Sequence, residues 1–348
     1  MNRPMDDLAR SEPADRAAVF AAAASEQGLP VHIVEKDFWA CWMLKRLFNP
    51  PLVKGMVFKG GTSLSKGWDA IKRFSEDLDL TLPRVQIPEM ASIDPLDQAL
   101  SKTKRRKRRD ALQEALKVWC SVAGAGELRA RVITALGTST GWTIETGGVE
   151  GDTMWFHYPK SAVEYTQYVE SSLRLEFGVK MPVTPALART IRPYCDVAGE
   201  YRMTTSTCTV QMLAPERTFW EKATLVHARN SGAPEKPLER VSRHYADLAS
   251  MWEGEIGPKA IAGIGLLRIV AAEKDLLYPS MTSDYSAAGA GRLRLVPGPS
   301  HEAALRRDYA AMREMYFGDP MTFDKVLKSL GKIEERVRTL TAIDDSRA

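Results

Sequence analysis

The sequence predicts an α+β fold, with a mixed sheet in the first two thirds of the chain and a helical C-terminal domain, on three observations. Apolar residues recur at helical spacing before residue 50. Polar and apolar residues alternate with period two in short runs between residues 56 and 179. Beyond residue 215 the alternation gives way to helical periodicity. Taken in order, the alanine-rich stretch 14–28 ends at Gly28 as a helix does. Residues 30–48 form a second helix, because Ile33, Phe38, Trp42 and Leu47 share one side before the Asn49-Pro50-Pro51 stop. A strand at 56–59, a glycine turn at 60–63, a short helix at 64–72 and an alternating strand at 77–82 follow, the last ended by Pro83. A helix is predicted over 95–123, then strands at 127–135, 142–145, 153–158 and 172–179. In the last of these Leu173, Leu175 and Phe177 face one way and Arg174 and Glu176 the other. Helices at 215–229, 238–253, 258–274, 301–317 and 322–339 complete the chain, with a flexible Gly/Ala-rich loop at 286–292. The domain boundaries expected are N-terminal helices packed on the core at 1–50, a core at 51–212, a helical domain at 213–340 and a tail at 341–348.

Composition narrows the function classes. The 348 residues, 44% apolar and 26% charged, suit a soluble globular protein large enough for two domains. No run of ~18 apolar residues occurs, which excludes a helical membrane span. The polar, acidic start lacks the features of a signal peptide, so a cytoplasmic protein is expected. Cys41, Cys120, Cys195 and Cys208 show no CxxC spacing, which disfavours a zinc ribbon or a disulfide framework and predicts reduced core thiols. The run 102–109, KTKRRKRR, holds seven basic residues, and without them the 48 Lys and Arg would fall below the 44 acidic residues. A helix basic on every side cannot be a core face, so it stands in solvent or meets an anion. Lys104, Arg105, Arg106, Lys107, Arg108 and Arg109 are therefore candidate nucleic-acid contacts, a solvated helix being the alternative.

The segment 58–66, FKGGTSLSK, followed by 73–80, RFSEDLDL, carries the most chemistry. Two glycines permit a tight turn, and a helix beginning after it turns free N–H groups toward a phosphate, with Thr62 and Ser63 as hydroxyl donors. Lys59, Gly60, Gly61, Thr62, Ser63 and Lys66 are the candidate phosphate-binding residues. Asp77 and Asp79, two apart on a strand, project from one face ~7 Å apart and suit a divalent metal. Magnesium takes a few carboxylates plus phosphate oxygens and water. Glu176, acidic within an apolar alternating strand, is the candidate third carboxylate, and its burial calls for a metal or a cation such as Arg174 or Lys222 nearby.

This constellation resembles the polymerase-beta-like nucleotidyltransferase superfamily, and more closely the AbiEii/AbiGii toxin family. Supporting segments are Glu35-Lys36-Asp37-Phe38, Arg217-Thr218-Phe219-Trp220-Glu221-Lys222, Arg243-His244-Tyr245-Ala246-Asp247-Leu248 and the stretch 308–317, so the likeness covers roughly residues 30–335. The resemblance implies a nucleotidyltransferase core and a metal-dependent enzyme that moves a nucleoside monophosphate from a nucleoside triphosphate to an RNA acceptor such as tRNA. It also implies a toxin paired with a cognate antitoxin, or a role in phage defence. On this resemblance Gly61 and Ser63 hold the triphosphate, Asp77 and Asp79 bind Mg2+, with Mn2+ as the alternative ion, Lys222 neutralises phosphate charge, and Asp247 is a second acidic residue of the site. Because the turn reads Gly-Thr-Ser where the family has Gly-Ser, Thr62 and Ser63 both stay open as the phosphate contact.

Plainer readings stand beside these. Asp77 and Asp79 also suit the solvent face of an amphipathic strand, Lys222 a surface lysine, and Arg243 with Asp247 an i,i+4 pair. Glu35, Lys36 and Asp37 fit a brace between helix and catalytic strand better than a substrate contact, because Phe38, Trp39 and Trp42 beside them are packing anchors. The five histidines show no metal-ligand spacing, and no GxxxxGK[ST] motif occurs. Two further functions remain open: AMPylation or UMPylation of a protein acceptor, and a non-catalytic member that works by binding a partner.

Overall fold

A computed structural model describes residues 3–138, 141–161, 163, 171–196, 203–204, 206–232, 240–280 and 282–345. The chain divides into two compact units. The first comprises Met1–Gly67, Ser75–Asp94 and Arg106–Leu213, and the second Trp68–Phe74, Pro95–Arg105 and Ala214–Ala348.

The first unit is built on a sheet. Its elements are β1 (Arg3–Pro4), α1 (Met5–Arg10), α2 (Pro13–Gln27), α3 (Val31–Phe48), β2 (Val57–Lys59), α4 (Gly60–Lys66), β3 (Asp77–Thr81), α5 (Lys102–Trp119), α6 (Ala125–Leu136), β4 (Thr143–Gly147), β5 (Thr153–His157), β6 (Leu173–Gly178), β7 (Ala186–Ile191), β8 (Met203–Thr204) and β9 (Cys208–Leu213). The first residues of α5 fall in the second unit. Seven strands form one mixed sheet in the order β4-β5-β6-β3-β2-β9-β7. β3 lies parallel to β6 and antiparallel to β2.

Alternation along the strands divides the sheet into two faces. Leu78 and Leu80 of β3, Leu173, Leu175 and Phe177 of β6, and Met154 and Phe156 of β5 are buried on one face. α3 covers this apolar face: Trp42 stacks on Phe156 with ring centroids 5.7 Å apart, and Trp39 on Tyr158 at 5.4 Å. A helix buried on almost every side follows from its composition, since apolar residues occupy far more than one stripe. Its charged residues Glu35, Lys36 and Asp37 are buried as well. Pro13 opens α2 and Gly28, at φ 65°, closes it in the left-handed conformation that glycine adopts without steric cost.

The second unit is helical: α7 (Pro215–Ser231), α8 (Ser242–Glu253), α9 (Ile256–Ala262), α10 (Gly265–Leu277), α11 (Tyr285–Gly289), α12 (Pro299–Ala311) and α13 (Phe323–Asp345). The segment Trp68–Phe74 joins it by backbone pairing. Phe74 N donates to Met315 O at 2.7 Å, and Phe317 N to Lys72 O at 3.0 Å.

Several expectations are corrected. Residues 127–135 are helical, not extended, because Ala125, Leu128, Val132, Ala135 and Leu136 bury one helical stripe. The short helix expected at 64–72 begins at Gly60 and stops at Lys66. The helix expected at 258–274 is two, broken at Gly263. Part of the expected loop 286–292 is the short helix α11, anchored by buried Tyr285, Ala287 and Ala288. The helix expected at 238–253 has its first two residues outside those described. Strands β7 and β9 carry no expectation from the sequence. Cys41, Cys120, Cys195 and Cys208 are free and buried. Among the described residues no helix is long and apolar enough to cross a membrane.

Candidate active site

The face of the sheet turned away from α3 carries the charged residues. Backbone register sets them in rows, because residues directly paired across strands project to the same side. One row runs Lys59 on β2, Asp79 on β3, Glu176 on β6 and Thr153 on β5. The next runs Asp77 on β3, Arg174 on β6, Trp155 on β5 and Glu145 on β4. Asp77, Asp79 and Glu176 are thus brought to adjacent positions of one face. Arg174 Nη2 lies 2.7 Å from Glu176 Oε1, which supplies the cation expected beside that carboxylate. Burial, with the negative charge of Asp79 and Asp77 added, outweighs Arg174 and pushes the Glu176 carboxyl up to about 7.

Among the described residues no three His, Cys, Asp or Glu side chains are gathered closely enough to hold an ion as they stand. The donor set nevertheless fits one. Three hard oxygen ligands share a face, and the charges of Asp79 and Asp77, which add to burial in raising Glu176, are ones a divalent cation would offset.

The glycine turn is built against this row. Gly60 has φ 75°, a conformation L side chains rarely adopt, and a Cβ there would lie 1.8 Å from Asp79 Oδ2. Only glycine lets α4 begin directly over the Asp79 carboxylate. Thr62 Oγ1 donates to the carbonyls of Ser75 at 3.0 Å and Asp77 at 2.6 Å, lashing α4 to the entry of β3. Ser63 is fully buried and its Oγ donates to Gly60 O at 2.9 Å. Of the two hydroxyls expected to meet a phosphate, Thr62 thus donates to the entry of β3 and Ser63 within the turn. Gly61 is buried and Lys59 half-buried, the latter opposite Asp79. Lys66 sits elsewhere than expected: its Nζ is buried, 2.7 Å from Asp37 Oδ1 and 3.4 Å from the centroid of the Tyr194 ring. Although burial opposes its charge, Asp37 and its other neighbours hold the Lys66 ammonium charged beyond the ordinary lysine range.

Two buried pairs fix the motif to α3. Asp37 takes Lys66 and also accepts from Tyr194 N at 2.6 Å. Lys36 Nζ lies 2.8 Å from Glu76 Oε2, one residue before Asp77. Both pairs make Lys36 and Asp37 the brace anticipated for this part of α3. Sequence reasoning did not find the partners, although ionised side chains inside an otherwise apolar helix must be paired.

The second unit has its own buried charge set. Arg73 Nε and Nη2 donate to the two oxygens of Asp247 at 2.7 and 2.8 Å, and Lys222 Nζ lies 2.9 Å from Asp247 Oδ2. Burial opposes ionisation of Asp247, but Arg73 and Lys222 outweigh it and hold the carboxyl well below its ordinary range. Burial lowers the pKa of Lys222, as does Arg73, while Asp247 opposes the shift. Two cations share one carboxylate. The partners of Asp247 are thus Arg73 and Lys222, and Arg73, quoted in the sequence motif without a role, is the main one. The late segment 308–317 also acts locally, since the Asp308 carboxylate accepts from Arg240 N at 2.6 Å and Ser242 N at 2.7 Å at the start of α8.

The basic run lies on α5. Lys102, Lys104, Arg106 and Lys107 are exposed and Arg108 and Arg109 half-buried. Arg105 departs from the expectation of a helix basic on every side: it is buried, donating to Pro95 O at 3.2 Å and Asp97 O at 2.9 Å.

No curated protein matches the chain. The family model described as nucleotidyl transferase AbiEii toxin, type IV TA system, matches residues 42–329, a span containing the turn, Asp77, Asp79, Glu176, Lys222 and Asp247. The match covers most of the sequence, and the chain belongs to this family of nucleotidyltransferase toxins from type IV toxin–antitoxin systems.

Proposed function

We propose that the chain transfers a nucleoside monophosphate from a nucleoside triphosphate to an RNA acceptor, with tRNA as the acceptor class and pyrophosphate as the leaving product. The observation that carries the reading is the register row Lys59–Asp79–Glu176, with the Gly60 turn seated on Asp79. Asp77, Asp79 and Glu176 would hold Mg2+, or Mn2+, which when bound offsets the negative charge of the phosphates. The chain's own residues do the positioning. The turn Gly60–Ser63 presents backbone N–H groups beside the carboxylate row, Lys59 adds positive charge at its edge, and Thr62 fixes the turn to β3. Lys222 and Asp247, joined to Arg73 as a buried charge set, are proposed to take part as well, on the strength of the family likeness. In-line attack by an acceptor hydroxyl then gains chiefly from placement and charge neutralisation.

The exposed members of the basic run, Lys104, Arg106 and Lys107 with the half-buried Arg108 and Arg109, are proposed to hold the RNA phosphates, Arg105 serving to anchor the helix. As a toxin of a paired system the enzyme is expected to be restrained by its cognate antitoxin, and phage defence is the setting proposed for the pair.

Incubation of the purified chain with Mg2+, each of the four α-32P nucleoside triphosphates, total RNA and cell lysate tests the reading. RNase-sensitive label that is lost in an Asp77→Ala/Asp79→Ala variant supports it. Protease-sensitive label moves the acceptor to protein, and label independent of the two aspartates refutes the site.

A further inference from the structure

Trp155 is a large aromatic on the charged face of the sheet. Its strand neighbours Met154 and Phe156 are buried in the core under α3, whereas Trp155 is half-exposed on the opposite face. Across the strands it is paired with Arg174 on one side, which is paired in turn with Asp77, and with Glu145 on the other. Two strand spacings separate the Trp155 and Asp77 backbones by ~10 Å, so an acceptor reaching the ring must extend across β6 from the carboxylates. β4 makes room for the ring: a Cβ on Gly147 would lie 3.3 Å from the indole Cζ3, so the glycine lets the six-membered ring lean over the neighbouring strand.

The order of strands assigns the occupant. An in-line displacement puts attacking and leaving oxygens on opposite sides of the phosphorus. With the triphosphate at the Gly60–Ser63 turn beside β2 and the reacting phosphorus at Asp77 and Asp79 on β3, the leaving pyrophosphate departs toward β2. The attacking hydroxyl therefore arrives from the side of β6 and β5, since the sheet runs β5-β6-β3-β2. We propose that the Trp155 indole is the stacking platform for the terminal base of the RNA acceptor. The inference rests on the transferase reading and adds to it a residue that selects an acceptor bearing a flat base. Stacking on an aromatic ring tolerates any base, so Trp155 favours nucleic acid over a protein hydroxyl without choosing a sequence.

The test measures steady-state transfer to unfractionated deacylated tRNA, varying tRNA and donor nucleotide separately, for the wild-type chain, Trp155→Ala and Trp155→Phe, with thermal melts of all three. Trp155→Ala is expected to raise KM for tRNA by about 5- to 150-fold, as loss of one base–aromatic stack does. KM for the donor stays unchanged, and Trp155→Phe, which keeps a ring face, recovers most of the loss. An unchanged KM for tRNA in an active Trp155→Ala enzyme overturns the platform alone. A rise confined to the donor KM overturns it by moving the ring to the donor base. Equal losses on both substrates with a lowered melting temperature, unrelieved by phenylalanine, reduce Trp155 to a packing residue and overturn it as well. A wild-type chain that labels no tRNA instead refutes the RNA-acceptor reading on which the inference rests.

Discussion

Replacing Gly60 by alanine separates the contact with Asp79 from every other feature of the turn. The added Cβ would sit 1.8 Å from Asp79 Oδ2, 2.6 Å from Cγ and 3.0 Å from Cβ, where ordinary contacts begin near 3.4 Å. The carboxylate must therefore swing by more than an ångström, or the start of α4 must lift by as much. Holding alanine at φ 75° adds about 1–2 kcal/mol of backbone strain. Gly28→Ala is the matched control, because Gly28 has φ 65° and nothing within 4 Å of its notional Cβ. Both variants are expected to lose about 1–2 kcal/mol of stability from strain in thermal or urea melts. Only Gly60→Ala displaces a carboxylate of the reacting row. Misplacement of about 1 Å at a reacting centre costs on the order of 10²-fold, so kcat of nucleotidyl transfer should fall by about that factor in Gly60→Ala and stay within twofold in Gly28→Ala. Wild-type kcat in Gly60→Ala would refute the claim that the turn exists to seat a substrate beside Asp79.

Other outcomes follow from the buried charges and the carboxylate row. Asp247→Ala leaves Arg73 and Lys222 facing each other without their shared anion and should destabilise the chain by about 3–5 kcal/mol in urea melts; a loss below 1 kcal/mol would mean that the cations find other partners. Glu176 has a folded pKa of about 7, above its unfolded value, so the folded state binds the proton more tightly. Its contribution is fully present at pH values below the unfolded pKa and is lost as pH rises through 7. The side chain is 36% exposed, which discounts the effect to about 1 kcal/mol. Glu176→Gln should therefore melt higher than wild type at pH 8 without divalent ions and equally at pH 4.5, and Mg2+ should raise the wild-type melting temperature more at pH 8 than at pH 6. No difference between the two proteins at pH 8 would contradict the carboxylate crowding. Charge reversal of Lys104, Arg106 and Lys107 should weaken tRNA binding and flatten its dependence on salt while leaving nucleotide binding intact; equal affinity for RNA would remove the basic helix from the acceptor site.

Much of the patterning that places the candidate residues was legible in local sequence, and what was missed has identifiable physical causes. The alternation in Asp77-Leu78-Asp79-Leu80 and in Leu173-Arg174-Leu175-Glu176-Phe177 reports directly which side of a strand is wet. What alternation cannot report is that the two strands are neighbours with Asp79 beside Glu176, since that register is set by long-range pairing. The misread segment 127–135 contains Val132-Ile133-Thr134, a β-branched run whose preference for strands was overridden by a buried stripe at helical spacing. Lys66 illustrates a different failure. A lysine next to a glycine turn suggests phosphate, but its partner Asp37 lies 29 positions away in α3, and nothing local announces the pair. Arg73 and Asp247, 174 positions apart, were invisible as partners for the same reason. The brace on α3 was within reach, because three consecutive ionisable residues on a helix packed with Phe38, Trp39 and Trp42 could be buried only if paired.

Mass spectrometry of deacylated tRNA after incubation with the enzyme, Mg2+ and a mixture of the four nucleoside triphosphates tests the central claim most directly. Wild type should add to the RNA the mass of one or more nucleoside monophosphate residues and release an equal number of pyrophosphates, and Asp77→Asn/Asp79→Asn, folded by its melting curve, should add none. An unchanged RNA mass with wild type, or the same gain with the double variant, would contradict a transferase centred on Asp77 and Asp79.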